Sequence, residues 1–218
     1  SPDEAGAIWS GSAVVDQENT SGFGVDGNPS LVAIFTQATD STQQQSLAYS
    51  PDHGRSWEKY SKNPVLPNPG IRDFRDPKVF WHGETGRWSM VVSAGKAVRF
   101  YSSSDLIRWD FESEISVIGT PSPAVCECPD LFHLKVSDSA SERFWILLVS
   151  ILNPEDWQET GIKYFVGYFD GRAFTPTAHN RFGQWYEKGT DQYAGMTYNH
   201  IPPSDNRRLY LGWMAQWQ

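Results

Sequence analysis

Two short acidic motifs each place a carboxylate close to a proline and just before an apolar run. Asp76 lies in F-R-D-P-K-V-F, residues 74–80, and Glu127 lies in C-E-C-P-D-L-F, residues 126–132. Paired carboxylates can divide acid–base work, because one can protonate a leaving oxygen while the other stabilises positive charge at the reacting carbon. This arrangement is typical of glycosidic bond cleavage. Asp76 and Glu127 are therefore the candidate catalytic residues.

A purely structural role is the alternative for each acid. Asp76 and Glu127 could cap turns, or they could pair with cations nearby in the sequence, which are Arg72, Arg75 and Lys78. For one isolated acid the structural role is the better interpretation. Two acids in what we interpret as matched positions of successive repeats favour a catalytic role.

Strand alternation predicts where these side chains point. In an extended strand Glu127 points opposite to Cys126 and Cys128. We expect both thiols to pack against the sheet, as free cysteines usually do, while Glu127 faces a shared channel. The residue before a proline is held extended, and proline itself belongs on an edge strand. The segments that carry Asp76 and Glu127 are therefore predicted to be edge strands that line one channel.

The strands that must position these acids occur in a repeat. Y-S-P-D-H-G-R-S-W (49–57) and Y-S-S-S-D-L-I-R-W (101–109) match with an offset of 52 residues, and Y-F-D-G-R-A-F (168–174) is a looser third copy. Each copy follows an alternating apolar run and predicts a strand, a polar turn and a second strand. A period of about 40–50 residues with four short strands is typical of a β-propeller blade. A β-sandwich and chance similarity between hairpins are the alternatives.

The repeat divides the chain into blades. Blades are predicted at 8–65, 71–120 and 121–180, and a fourth begins near 190. The segments W-S-G-S (9–12) and T-D-Q-Y (190–193) are expected to open blades as the two acidic motifs do. A closed propeller needs at least four blades. Residues 1–218 are therefore expected to form one all-β domain that is an incomplete ring of about three and a half to four blades.

Composition argues against several classes of function. Ten Trp, nine Tyr and twelve Phe either fill a core or supply flat faces that pack on sugars. The 26 acidic residues outnumber the 18 basic ones, and no basic stretch predicts a nucleic-acid partner. The longest apolar run, residues 144–152, is shorter than the ~20 residues of a membrane helix and predicts a buried strand. No membrane partner is expected.

No cofactor or metal is expected either. The two cysteines cannot form a disulfide framework. The histidines lack the spacing of metal ligands; they occupy positions 53, 82, 133, 179 and 200. One glycosylation sequon begins at Asn19 and supports secretion. The sequence leaves the oligomeric state open.

Together the motifs resemble glycoside hydrolase family 32, which contains invertases, inulinases, levanases and fructosyltransferases. They follow the family order: W-S-G-S-A-V (9–14), F-R-D-P-K-V-F, E-C-P-D-L (127–131), Y-F-V-G-Y-F-D-G (164–171) and G-W-M-A-Q-W (212–217). The segment V-V-D-Q-E-N-T-S-G-F-G (14–24) is similar to fungal and yeast members. The resemblance implies a five-bladed β-propeller, usually followed by a β-sandwich, and a retaining mechanism through a covalent fructosyl intermediate.

The resemblance also implies roles for single residues. Glu127 resembles the general acid/base, and Asp76 resembles the transition-state stabiliser that holds sugar hydroxyls. The expected substrate-binding residues are Arg75, Trp9, Ser10, Asp191 and Trp217. A surface turn is the alternative for Asp191. The expected ligand is a small sugar such as sucrose, or a fructan chain.

One motif of the family is missing from the sequence. The family nucleophile is the Asp of an N-D-P-N-G motif in the first blade, and the nearest text here is D-G-N-P-S, residues 26–30. We therefore expect that the first blade and the trailing sandwich are not present in residues 1–218, and that this chain alone is inactive. The complete protein is expected to be a secreted β-fructofuranosidase.

Three other functions remain open at this point. The same machinery could transfer fructose to a second sugar instead of to water. A non-catalytic sugar-binding propeller would also explain the missing nucleophile. A related five-bladed arabinan or xylan enzyme would place acids on inner strands too, but it does not predict W-S-G-S together with E-C-P.

Overall fold

The fold is built almost entirely from β-strands. A computed structural model describes residues 2–117, 124–135, 143–156, 160–187, 191–202, 204–205 and 207–214. Its strands pair into four antiparallel sheets. No helix among these residues is both long enough and apolar enough to cross a membrane.

The first two sheets contain four strands each, in sequence order. The first sheet consists of β1 (Ala7–Asp16), β2 (Ser30–Ala38), β3 (Gln43–Ser50) and β4 (Glu58–Lys59). The second sheet consists of β5 (Phe74–His82), β6 (Arg87–Ala94), β7 (Ala97–Ser103) and β8 (Asp110–Ser116).

The third sheet has five strands and the fourth has two. The third consists of β9 (Val125–Lys135), β10 (Arg143–Leu152), β11 (Gly161–Phe169) and β12 (Phe174–Pro176), with β13 (Gln184–Glu187) also paired to β11. A short 3-10 turn, Ala178–Asn180, lies between β12 and β13. The fourth sheet pairs β14 (Tyr193–Thr197) with β15 (Tyr210–Trp213).

These sheets are the predicted propeller blades. In each sheet the first strand lies at an edge, and these edge strands adjoin one another: β1 contacts β5, β5 contacts β9, and β9 contacts β14. The segments that carry Asp76 and Glu127 are therefore inner strands, as predicted. The third blade is longer than the predicted 121–180, because β13 extends it to Glu187. The apolar run 144–152 forms buried strand β10, also as predicted.

Apolar side chains between neighbouring blades hold them together. Strand β6 is apolar on both faces, because Met90 packs towards the first blade and Val91 packs towards the third. Both residues are fully buried. Burying one such side chain contributes about 1.5–3 kcal/mol, so each blade interface stabilises the relative position of the strands that line the channel.

The repeated motifs are the hairpins between the third and fourth strands of the blades. In the first blade Asp52 accepts hydrogen bonds from the Ser56 amide at 2.9 Å and the Ser56 hydroxyl at 2.6 Å. In the second blade Asp105 accepts from the amides of Ile107 at 2.9 Å and Arg108 at 2.8 Å. The hydroxyl and amide of Ser56 hold the pKa of Asp52 below its usual range. The repeat thus encodes a carboxylate that satisfies the donors of a tight turn.

A second carboxylate organises the turn after β1. Asp16 is fully buried and accepts four hydrogen bonds of 2.6–2.9 Å, from the amides and hydroxyls of Thr20 and Ser21. The Thr20 hydroxyl in turn accepts from the Trp88 indole at 2.8 Å. Asp16 therefore links the first turn of one blade to the core of the next.

Replacing this carboxylate should weaken the fold. We expect Asp16→Ala to lower the free energy of unfolding by about 3 kcal/mol, because four partly buried donors lose a charged acceptor. Urea denaturation of the complete protein measures the change. Asp40→Ala, at an exposed turn, is the matched control and should stay within about 0.5 kcal/mol of the wild type. Equal losses in the two variants would contradict the assigned role.

Candidate active site

The four inner strands share one irregularity in the same register. Each carries two residues opposite a single residue of the next strand, which defines a β-bulge. The bulged pairs are Trp9–Ser10 on β1, Asp76–Pro77 on β5, Cys128–Pro129 on β9 and Ala194–Gly195 on β14. The residue types differ among the four bulges, and what the bulges share is one extra residue in the inner strand.

Three of these bulges contain a non-glycine residue with a left-handed backbone. The φ angle is 64° at Asp76, 45° at Cys128 and 53° at Ala194. Such a conformation costs on the order of 1–3 kcal/mol and persists only where the surroundings impose it. It also interrupts alternation, so two consecutive side chains can approach the same cavity.

The bulges correct the predicted match between the two acids. The residue before the bulge is Arg75 on β5, Glu127 on β9 and Tyr193 on β14. Glu127 therefore corresponds to Arg75, and Asp76 corresponds to Cys128. The prediction that the two acids occupy matched positions was wrong by one residue, because proline follows Asp76 directly but follows Glu127 only after Cys128.

The three residues before the bulges form one hydrogen-bonded chain around Glu127. Arg75 Nε donates to Glu127 Oε1 at 3.0 Å, and Tyr193 Oη donates to Glu127 Oε2 at 2.8 Å. Both oxygens of the carboxylate are thus held. Burial, with the Glu127 charge, raises the pKa of Tyr193, so its phenol remains a donor. Strands from three blades fix the orientation of this single carboxylate.

Asp76 lies in a different environment from Glu127. The whole Asp76 residue is 5% exposed, whereas the side chain of Glu127 is 20% exposed. Asp76 Oδ2 accepts from the Cys128 amide at 2.9 Å and contacts the Cys128 thiol at 3.6 Å. Burial, with the nearby Glu127 charge, raises the pKa of Asp76, while the Cys128 amide and Arg75 oppose the shift.

The position of Cys128 differs from the alternation prediction. Cys126 is buried between blades and donates to the carbonyls of Gly95 and Ala97, both at 3.0 Å, as expected for a thiol packed against a sheet. Cys128 instead turns towards Asp76, because the bulge reverses its direction. Both thiols are free and buried.

One guanidinium lies among three carboxylates. Arg75 pairs with Asp73 at 2.7 Å and with Glu127 at 3.0 Å, and its charge also acts on Asp76. The Gln43 side chain accepts a further bond from Arg75 at 3.1 Å. The expected cation partner of the acids is therefore Arg75. The structural alternative is correct about the ion pair, yet the Glu127 carboxylate in that pair stays partly exposed to solvent.

The remaining predicted residues lie at different distances from this cluster. Trp9 and Ser10 form the bulge of β1 and are exposed. Asp191 lies in an exposed turn before β14, and the residue of that segment that contacts Glu127 is Tyr193. Trp217 lies outside the described residues. Sequence reasoning missed Tyr193, although its motif was expected to open a blade.

The pKa of Asp76 predicts an effect on stability. A carboxyl whose pKa is raised on folding is favoured in its neutral form, so its ionisation destabilises the fold as pH rises through the folded-state pKa. Asp76→Asn should therefore raise the thermal unfolding midpoint at pH 7–8. The gain in the unfolding midpoint should shrink as the pH falls towards the ordinary pKa of aspartate, about 4. Asp40→Asn should give no such pH-dependent difference, and a loss of stability in Asp76→Asn at pH 8 would contradict the assigned environment.

The sequence and the structure of this chain match parts of longer known proteins, and the matches cover nearly all of this chain. Residues 1–218 match the profile described as "Glycosyl hydrolases family 32 N-terminal domain". The levanase of Bacillus subtilis is 46% identical over 217 residues, which cover 100% of this chain and 32% of that protein. The extracellular exo-inulinase of Aspergillus niger is 39% identical over 240 residues, which cover 96% of this chain and 44% of that protein. The chain spans between about a quarter and a half of the length of the curated relatives it matches.

Solved structures agree with the sequence comparison. The exo-inulinase of Aspergillus awamori superposes with a TM-score of 0.84 at 37% identity, over 97% of this chain and 46% of that one. A fructofuranosidase of Schwanniomyces occidentalis in complex with fructose gives a TM-score of 0.87 at 33% identity, over 99% of this chain and 42% of that one. The chain therefore belongs to glycoside hydrolase family 32.

Proposed function

We propose that the complete protein is a retaining glycoside hydrolase that releases terminal β-D-fructofuranosyl units from sucrose or from inulin-type or levan-type fructans. The single observation that carries this proposal is the Glu127 carboxylate, held on both oxygens by Arg75 and Tyr193 beside the buried Asp76. The relatives named levanase and exo-inulinase support a fructan or sucrose substrate.

Glu127 is assigned as the general acid/base. In the first step its proton passes to the oxygen that leaves the fructosyl C2 as the glycosidic bond breaks. In the second step it takes a proton from water as that water attacks C2, the bond between C2 and the nucleophilic carboxylate breaks, and fructose is released. The partial exposure of Glu127 allows it to reach both the leaving oxygen and the water, and its two hydrogen bonds limit it to one orientation.

Asp76 is assigned as the stabiliser of the transition state. Its carboxylate is poorly solvated in the free site, since burial raises its pKa. Sugar hydroxyls that donate to it, and positive charge that develops at C2, both favour its ionised form. These interactions strengthen as charge develops, which is the requirement for lowering the barrier.

The covalent step needs a nucleophilic carboxylate as well. The sequence has no N-D-P-N-G motif, so we assign the nucleophile to a part of the protein outside residues 1–218. Arg75, Trp9, Ser10, Asp191 and Trp217 are assigned to substrate binding. No cofactor enters this scheme, and the extracellular relatives together with the sequon at Asn19 support a secreted enzyme.

The acid/base assignment predicts a leaving-group effect. Glu127→Ala should lower kcat/KM for sucrose by at least about 10²-fold, because a poor leaving group needs its proton. Bond cleavage in p-nitrophenyl β-D-fructofuranoside should suffer less, since its leaving group departs without protonation. Steady-state release of fructose and of p-nitrophenol by the complete protein measures both.

Glu84→Ala, at an exposed hairpin, is the control and should stay within about twofold of the wild type. Near-wild-type turnover of sucrose by Glu127→Ala would end the acid/base assignment. A wild-type protein that binds fructans but releases no fructose would instead support the sugar-binding propeller.

The competing reaction is transfer of fructose to a second sugar. Both reactions share the fructosyl intermediate and differ in whether water or a sugar hydroxyl attacks C2. We expect free fructose to remain the main product of the complete protein even at high sucrose concentration. Chromatography of the products checks this, and trisaccharide as the major product would favour the transferase.

A further inference from the structure

A buried ion pair lies directly after the bulges of β5 and β9, the two strands that carry the acids. Lys78 follows the bulge of β5, and Asp130 follows the bulge of β9. Lys78 Nζ lies 3.4 Å from Asp130 Oδ1, and the side chains are 4% and 0% exposed. Neither residue belongs to the acid cluster, and the roles assigned above do not use them.

Both members of the pair also hold the same residue of the fourth blade. Asp130 Oδ2 accepts from the Thr197 amide at 2.6 Å. Lys78 Nζ donates to the Thr197 carbonyl across 119 residues of sequence. The pair therefore grips both backbone groups of Thr197. We call Lys78, Asp130 and Thr197 the inner clamp.

The inner clamp contacts the same three strands that carry the groups around Glu127. Lys78 lies two residues after Asp76, Asp130 lies three after Glu127, and Thr197 lies four after Tyr193. At about 3.3 Å per residue, the clamp lies roughly one layer of side chains below the acids. It fixes each strand just beyond the bulge, where the regular ladder of hydrogen bonds is interrupted.

Stability alone does not explain the inner clamp. Burying two charges costs several kcal/mol per ion, and well-packed apolar residues in the same place are often as stable or more stable. Asp130 Oδ1 has no hydrogen-bond partner among the described residues, and burial lowers the pKa of Lys78. An apolar pair could not make directed hydrogen bonds to the amide and the carbonyl of Thr197.

We propose that Lys78 and Asp130 are positioning residues. They fix how far β5, β9 and β14 are displaced along one another, so that the side chains of Arg75 and Tyr193 both reach Glu127. They act through the backbone of Thr197. This inference rests on the proposed function only in its reading of Glu127 as the acid/base. Its structural part is that the inner clamp holds the strands whose Arg75 and Tyr193 side chains bind Glu127.

The test removes both charges together in the complete protein. Lys78→Met with Asp130→Leu leaves no unpaired buried charge, so the double variant should fold. We expect kcat for sucrose to fall about tenfold or more, because small displacements of a catalytic group are costly. KM should change by less than about threefold, since binding groups remain. The loss of kcat/KM should be clearly smaller for p-nitrophenyl β-D-fructofuranoside than for sucrose, since p-nitrophenol departs without protonation.

Lys78→Arg is the conservative variant, because it keeps a cation that can reach Asp130 and Thr197. It should recover most of the turnover that the double variant loses. A double variant with wild-type kcat, or with equal losses of kcat/KM on both substrates, would overturn the positioning role. If the double variant does not fold, Lys78→Met with Asp130→Asn replaces it. This pair leaves no unpaired charge and keeps an acceptor for the Thr197 amide, but it still removes the contact with the Thr197 carbonyl, so the same two outcomes decide.

Failure of this inference can be told from failure of the proposed function. Glu127→Ala, measured beside the double variant, reports the acid/base role alone. If Glu127→Ala shows the leaving-group effect and the double variant does not, only the inner clamp is misassigned. If neither variant shows it, the acid/base assignment itself is wrong.

Discussion

The arrangement of the site depends on one constraint of β-structure: neighbouring side chains on a strand point to opposite faces. A regular inner strand could present Arg75 or Asp76 to the channel, but not both. The bulge at Asp76 removes this limit, and the bulge at Cys128 does the same on β9. Two strands can then bring a guanidinium, two carboxylates and a thiol into contact.

The charges in the site are balanced by geometry rather than by number. Arg75 is one cation among three carboxylates, and its charge does not act equally on all three, because their surroundings differ. Glu127 receives the guanidinium and a phenol and keeps access to solvent. Asp76 is buried, so its pKa is raised despite its donors. Two carboxylates in different environments can perform different tasks, which is how acid–base roles are separated elsewhere.

The cost of this polar interior is offset by the blade interfaces. Residues such as Met90 and Leu147 are fully buried between sheets, and each contributes about 1.5–3 kcal/mol. The strained bulges cost on the order of 1–3 kcal/mol each. Hairpins closed by Asp52 and Asp105 hold the outer edges of the blades. The packing between blades thus offsets the cost of the bulges in the inner strands.

The sequence by itself determined the strands, the blades and the family. The 52-residue repeat located the blades, the prolines located the inner strands, and the motifs around Asp76 and Glu127 supplied the candidate acids. These features are local, because strand alternation, turns and proline effects act over a few residues. Only the tertiary structure decided that Asp76 matches Cys128, that Tyr193 holds Glu127, and that Thr197 is gripped by a buried ion pair. A bulge is defined by its partner strand, and contacts across 52 to 119 residues depend on blade packing, which no local pattern records.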